Sequence, residues 1–413
     1  MESDSGMRLC NWFAGIDLDS RYLTATLGFT SDEREPRILG TRVFDGSTNG
    51  DAQALLRRSL PELGQWLHLE TGGALDEVAV AVPGRALQEF PSSGEYQFGT
   101  PTLIDGDAID VAHDRAIAGP ARLGSVVQSV IRGYEVDGIP QTEPPVGVYA
   151  STLRVESTSW VARTDATRPL VGAMRSAGFE VGLLAPRAVA SAHSTLTKLE
   201  QREGAILVMV GDVGTECATL IDSFVSDVFT VPLGTKPLEA QIARACNISP
   251  DVVKRLDLSL MLERMPNDPI VQRVRTVLSV WGTALFTEVR RRLDERNLVW
   301  RVQAGVVIAG SPRKFPGLDD QAARVVGTPA RFVATAQPRE RSSATTAGSF
   351  VTSGLIPLHW NESRQMAETR AVTQQDPGSR PIVNVREFDG RGGFGQALGR
   401  WLREFVPAGH YLS

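Results

Sequence analysis

Two short stretches hold the residue types and spacings that could do chemistry. The first is Asp17-Leu18-Asp19-Ser20, where one apolar run stops and another begins at Tyr22. The second is Gly211-Asp212-Val213-Gly214-Thr215, inside an equally apolar sequence between Gly204 and Gly234. A tight hairpin can grip a phosphate with backbone N–H groups, and it needs a residue without Cβ where the phosphate comes close. In the first stretch an aspartate stands where such a glycine would be. The plain alternative is a surface turn, because one turn position accepts Asp easily.

Each stretch must be positioned by strands. Residues 11–44 read as strand-rich, followed by a helix marked by Leu55, Leu56, Leu60, Leu63 and Leu67, and by a buried strand, EVAVAVP, at 77–83. Residues 204–234 repeat the opening theme of apolar strand, Gly-containing turn, second strand and third strand. Two strand-turn-strand units, each followed by a helix, predict an α/β protein with an internally duplicated domain pair around a cleft. Between the units, Pro91 to Gly106 is polar and turn-rich and reads as an insertion or a loop. Residues 133–163 alternate apolar and polar and end at a helix start, and 168–186 read as helix, Gly turn and strand. Residues 239–256 read as one helix, and another starts near Pro269. Within the latter, Trp281, Leu285 and Phe286 have core spacing, and Arg290-Arg291-Arg292 reads as a solvated helix face.

Composition narrows the classes. The 413 residues are 42% hydrophobic and 22% charged, enough for two or three domain-sized cores. A formal net charge of -5 gives no global attraction to nucleic acid, which is not expected as a partner. Cys10, Cys217 and Cys246 are too few and too scattered for a disulfide framework or a zinc site. The start lacks a basic segment followed by an apolar core, and no apolar run reaches ~18 residues, so a cytoplasmic protein is expected.

Four stretches give the chain a resemblance: GIDLDSRYLTATLG; GYEVDGI with PPVGVYASTLRVESTSW; GAILVMVGDVGTECATLI with VPLG; and RVQAGVVIAGSPRKFPGLDDQAARVVGTPARF. Over nearly its whole length the sequence resembles the actin and heat-shock-70 superfamily, and within it the FtsA-like bacterial cell-division proteins. The second stretch is the most specific, because it matches an inserted subdomain that sugar kinases and ordinary actins lack. The resemblance implies α/β, actin-like (ribonuclease-H-like) duplicated domains, an FtsA-type inserted subdomain, and a cleft for ATP or ADP with magnesium. The boundaries it suggests are 11–83 and 164–200 for the first domain, 84–163 for the insertion and 201–360 for the second domain. By the same resemblance, Asp17, Asp19, Ser20, Gly211, Asp212, Gly214, Thr215, Gly310 and Ser311 are the candidate cofactor contacts, with Asp17 orienting the magnesium.

Several of those positions depart from the family. Asp19 stands for a glycine and Tyr22 for a common lysine. Read without gaps to the matching Pro232 and Gly234, the second turn has Met209 at the family's aspartate, followed by Asp212, Val213 and Gly214 in place of small residues. Arg187 falls where the family carries an acidic residue linked to water activation, and Gly310-Ser311 replaces a Gly-Gly pair. Together these predict impaired nucleotide chemistry and no catalytic residues in the usual places. The stretch near 250–275 is short for the upper subdomain that offers FtsZ its docking surface in the family, so that partner is only weakly implied.

The tail is separate evidence. Residues 361–393 are polar with Pro and Gly and read as a flexible linker. In 394–406, Phe394, Ala397, Leu398, Trp401, Leu402 and Phe405 recur at three- and four-residue spacing, with Gln396, Arg400 and Arg403 opposite. The plain reading is a helix packed back on the body. The aromatics, the paired arginines and the long linker instead suit an amphipathic helix on an anionic membrane surface, with Phe394, Leu398, Arg400, Trp401, Leu402, Arg403 and Phe405 as the contacts. The expectation is a peripheral, self-associating tether of a division or cytoskeletal assembly on the inner face of the cytoplasmic membrane. The alternatives are an active actin-fold ATPase of cell division and a PilM-like adaptor of a pilus or secretion machine.

Overall fold

The computed structural model describes residues 11–19, 22–31, 35–45, 52–256, 258–310, 315–333 and 343–375, with backbone alone for 343–347 and 365–375 and for positions 254, 255 and 259. Its first half starts with β1 (Asn11–Leu18), β2 (Tyr22–Thr30) and β3 (Arg37–Asp45), followed by α1 (Ala52–Thr71) and β4 (Glu77–Val82). β1 pairs antiparallel with β2, with Asp17 opposite Thr24, and parallel with β4. The central residues of β1, Phe13 to Asp17, and most of β2 are buried, which explains their continuous apolar character. α1 covers one face, where Leu55, Leu63 and Leu67 pack with Ile16, Leu23 and Leu27.

The chain then leaves the sheet to build β5 (Leu87–Leu103), α2 (Gly106–Ala118), β6 (Ser125–Val136), β7 (Ile139–Gln141) and β8 (Tyr149–Ala162). These strands form an antiparallel sheet in the order β5-β8-β6-β7, with its own core of Ile104, Ile109, Ala112, Leu153 and Val155. The stretch over 91–106, expected as an insertion or a loop, is therefore mostly strand. β5 lies at the edge of its sheet and pairs only with β8, so Pro91 and the polar residues fit there, and the register slips between Gln97 and Thr102.

α3 (Thr164–Ser176) returns the chain to β9 (Glu180–Pro186), parallel to β4, and α4 (Arg187–Thr195) and α5 (Lys198–Glu203) lead to the second half. There β10 (Ala205–Val210), β11 (Thr215–Ile221) and β12 (Phe224–Val231) repeat the opening meander. They are followed by α6 (Thr235–Cys246), α7 (Pro250–Arg255), α8 (Leu258–Arg264), α9 (Pro269–Glu295), β13 (Gly305–Gly310), α10 (Leu318–Val326), β14 (Ala330–Phe332) and α11 (Ser343–Gln375).

The two main sheets run β3-β2-β1-β4-β9 and β12-β11-β10-β13-β14, the same order twice. This is the duplicated actin-like α/β fold. The second core holds Trp281, Leu285 and Phe286, as their spacing predicts. α4 and α11 pack between the sheets, where Ala188, Ala192, Val351 and Leu355 join residues of β10 and β13.

Two helix boundaries differ from expectation. The helix read over 239–256 is broken: Asn247 ends α6 in the left-handed conformation, and Ser249 caps α7 through Val252 N. α11 runs on to Gln375, into the segment expected as linker from 361. The reason is that Glu, Arg, Gln, Met and Ala dominate there, while Pro and Gly begin only at Pro377. The membrane-contact residues of 394–406 lie outside the described residues. No described helix is long and apolar enough to cross a membrane.

Candidate functional site

β1, β4 and β9 are parallel, so their carboxyl ends share one edge of the first sheet. In open α/β sheets that edge is where ligands sit. Asp17 is one residue from the end of β1, and Arg187 opens α4 directly after Pro186 ends β9. Across 170 positions of sequence the two meet: Arg187 Nη2 donates to Asp17 Oδ2 at 2.8 Å. The Asp17 side chain is 3% exposed and that of Arg187 13%. Arg187 Nη1 also lies 3.8 Å from Glu216 Oε1, on β11 of the second half. One guanidinium therefore touches carboxylates of both halves.

Burial pushes the Asp17 carboxyl up to about 6. The attraction of Arg187 opposes that rise, while the negative charges of Asp19 and Glu216 add to it. Burial alone would depress Arg187, but Asp17, Glu216 and Asp19 outweigh it and hold the guanidinium above its ordinary value, firmly charged. Three carboxylates around one guanidinium leave the pocket negative. Asp17 Oδ1 and Arg187 Nε, one acceptor and one donor, are buried with no hydrogen-bond partner among the described residues.

The first hairpin is closed on itself. Asp19 N donates to Tyr22 O at 3.0 Å, and Asp19 Oδ1 accepts from Tyr22 N at 2.7 Å. The aspartate in the glycine position thus serves as a turn cap. Ser20 lies outside the described residues.

The second hairpin spends its groups on α6. Gly211 N donates to Gly214 O at 3.0 Å, Thr235 N to Gly211 O at 3.0 Å and Lys236 N to Asp212 O at 2.8 Å. Thr215 Oγ1 donates to Leu233 O at 2.7 Å, and Lys236 Nζ stands 3.6 Å from Asp212 Oδ2. Gly234 makes this seal possible, because a Cβ there would stand 2.5 Å from Asp212 O. The N-terminal N–H groups of α6, which would otherwise suit an anion, are already taken. Gly310 ends β13 against Val210, and Ser311 lies outside the described residues.

The structure thus gathers Asp17 and Asp19 around Arg187, and places Gly211, Asp212, Gly214 and Thr215 on a second turn tied to α6. Sequence reasoning missed Glu216 and Lys236. Glu216 is the lone charged residue of the apolar strand TECATLI and faces Met209 across the hairpin, which was its available signal. Lys236 sits in the first turn of α6, where a cation is unfavourable without a nearby anion such as Asp212.

The residues present do not fit a hydrated magnesium ion at Asp17. One oxygen of the carboxylate already holds a guanidinium at 2.8 Å, and that fixed positive charge repels a second cation. Arg187 supplies the positive charge there instead.

By sequence, the chain is similar to the cell division protein FtsA of Borreliella burgdorferi, 21% identical over 348 residues, 78% of this chain and 84% of that protein. It is also similar to FtsA of Pseudomonas aeruginosa, 20% identical over 347 residues, 77% of this chain and 82% of that protein. The chain is FtsA-like. No family model matches the FtsA-like chain. Solved structures similar to it include the PilM-PilN type IV pilus biogenesis complex, with a TM-score of 0.49 and 17% identity over 84% of this chain and 96% of that one. Another is MreB5 of Spiroplasma citri bound to ADP, with a TM-score of 0.47 and 10% identity over 89% of this chain and 99% of that one.

Proposed function

We propose that this FtsA-like, actin-fold chain tethers a division or cytoskeletal assembly to the cytoplasmic membrane, self-associates, and works with impaired nucleotide chemistry. The observation that carries the reading is Arg187 on Asp17, a cation where the family places an acid and a carboxylate that no longer faces the cleft free. A phosphate ~5 Å from one uncompensated carboxylate is repelled by on the order of 3 kcal/mol at an effective dielectric of ~20. Here Arg187 offsets only one of three such charges. ATP or ADP with magnesium is therefore a weak ligand at most. Calorimetry of the full chain with ATP and magnesium should give little or no binding heat. Steady turnover that vanishes on Asp17→Ala would overturn the reading.

Support for the tether comes from the sequence of 394–406. Gly395 and Gly399 each cost about 1 kcal/mol of helix propensity, a cost that contact with a membrane would have to offset. One such helix anchors marginally, and several on one assembly add avidity of ~10²-fold or more. FtsZ or other division proteins are the proposed partners. Vesicle co-sedimentation over a concentration series should show steep lipid binding by the intact chain and loss of it in a chain ending at Gly393. Equal binding by the two would remove the tether, and binding without concentration dependence would remove self-association.

A further inference from the structure

The halves also meet away from the cleft floor. Arg132 of β6, in the inserted sheet, donates from Nη1 to Ser226 O at 2.7 Å and from Nη2 to Asp227 Oδ1 at 3.1 Å, both on β12. Its Nε donates to Thr158 Oγ1 at 3.1 Å on neighbouring β8. Asp227 is wholly buried. Its other oxygen accepts from Arg292 Nε of α9 at 2.7 Å. Glu89 of β5 bonds Arg292 Nη2 at 2.6 Å and also bonds Arg296. Each side contributes both signs: Arg132 and Glu89 from the insertion, Asp227, Arg292 and Arg296 from the second half. Aromatic faces hold two of the guanidiniums, Arg132 over Trp160 and Arg292 over Phe229.

Between this cluster and Arg187 the backbone of Gly84 lies directly against side chains of the second half. A Cβ on Gly84, just after β4, would stand 2.3 Å from Thr230 Oγ1 and 3.1 Å from Glu216 Cγ.

We propose that the two ion clusters, Arg187 with Asp17 and Glu216, and Asp227 with Arg132, Arg292, Arg296 and Glu89, latch the halves together without nucleotide. Arg187 then does the bridging that a ligand in the cleft would otherwise do. Buried ion clusters suit such a latch because each member left alone is a strongly penalised charge, so partial opening is unfavourable and the contact breaks as a unit. Their geometry also fixes one relative placement of the halves, whereas apolar contact alone tolerates sliding. The inference rests on the nucleotide-impaired reading of the cleft, and its test is kept separate from that reading.

The test is hydrogen exchange and small-angle scattering on the full chain without nucleotide, comparing it with Arg132→Gln, Asp227→Asn and Arg132→Gln/Arg187→Gln. Expected are about tenfold or faster exchange in β6 and β12 of the variants, native rates in β10 and β13, and a larger radius of gyration for the double variant. Should Asp227→Asn fail to fold, Arg132→Gln still decides, since its side chain is 20% exposed and at the rim of the cluster. Native exchange in β6 and β12 of folded variants, with an unchanged radius in the double variant, would overturn the latch. Native exchange together with silent calorimetry removes the latch alone, and fast exchange together with tight ATP binding supports the latch and removes the impaired-cleft reading.

Discussion

The two main sheets repeat one strand order, yet their hairpins close in different ways. At the β1–β2 tip a side chain, Asp19, binds the backbone of Tyr22. At the β10–β11 tip the backbone carbonyls of Gly211 and Asp212 bind the start of α6. The strands behind both tips are constrained alike: Ile16, Leu23 and Leu27 in one sheet and Ile206, Leu207 and Val208 in the other are fully buried. Two-sided burial fixes such residues within a methylene or so. Hairpin tips carry no such constraint, so their chemistry can change one residue at a time while the framework stays. Arg187 belongs to neither hairpin. It enters from α4, between the halves, and pairs with Asp17 beside the first tip.

This contrast predicts that a charge buried in the framework matters far more to stability than any change at a tip. Asp227→Ala should have the largest effect. It leaves Arg132, Arg292 and Arg296 crowded without the carboxylate they share, and removing one partner from a buried pair costs about 3–5 kcal/mol. Denaturant unfolding should show that loss. A cost below about 1 kcal/mol would erase the distinction between framework and tip.

Asp17 stands at the boundary and should show an intermediate effect, visible in its pH dependence. Its folded pKa, raised by burial to about 6 from an ordinary carboxylate value of 3.8, means that the folded chain holds a proton there which the unfolded chain has released. Stability from this group is therefore present near pH 4 and is lost as pH rises through about 6. Asp17→Asn keeps the shape and removes the titration. The native chain should thus lose stability relative to this variant between pH 4 and 6, with a level difference above. A native chain that gains on the variant over that interval would mean that attraction to Arg187 outweighs burial.

Framework and tips also differ in how much of them could be read from sequence. The continuous apolar runs of β1 and β10 were legible because burial on both faces leaves no alternation to interpret. β5 was not, since an edge strand with one solvated face can carry Pro91, Ser92, Ser93 and Gly94 and still pair with β8. Asn247 looked like any helical residue, and only its left-handed backbone ends α6. In the arginine run, Arg291 pairs with Glu288 and Glu295 on the open face, as expected, whereas Arg290 pairs with Asp294 but also donates to Val326 O at the end of α10. Arg292 turns inward to Asp227, which its place three residues after the buried Val289 already allowed. Arg187 was recognisable as a reversal of charge through the family resemblance. That it would bind Asp17 depends on the parallel pairing of β1, β4 and β9, which no local pattern records.

The smallest effects belong to the tips. Lys236→Ala breaks a pair whose side chains are 52% and 39% exposed, and should change stability by no more than about 0.5 kcal/mol. Asp19→Gly returns the first tip to the family residue. It removes the 2.7 Å bond to Tyr22 N and adds backbone freedom to the unfolded chain, together about 1 to 2 kcal/mol. It also takes one negative charge from around Arg187. If Asp19 were the whole obstacle to phosphate, the variant should melt at a clearly higher temperature when ATP and magnesium are added, because a ligand that binds only the folded state stabilises it. The expected outcome is a lower melting temperature with no ATP-dependent rise, since Arg187 still occupies Asp17 and the carbonyls of the second tip still hold the first N–H groups of α6. A rise of several degrees would place the block in the first hairpin alone and leave Arg187 as a bystander.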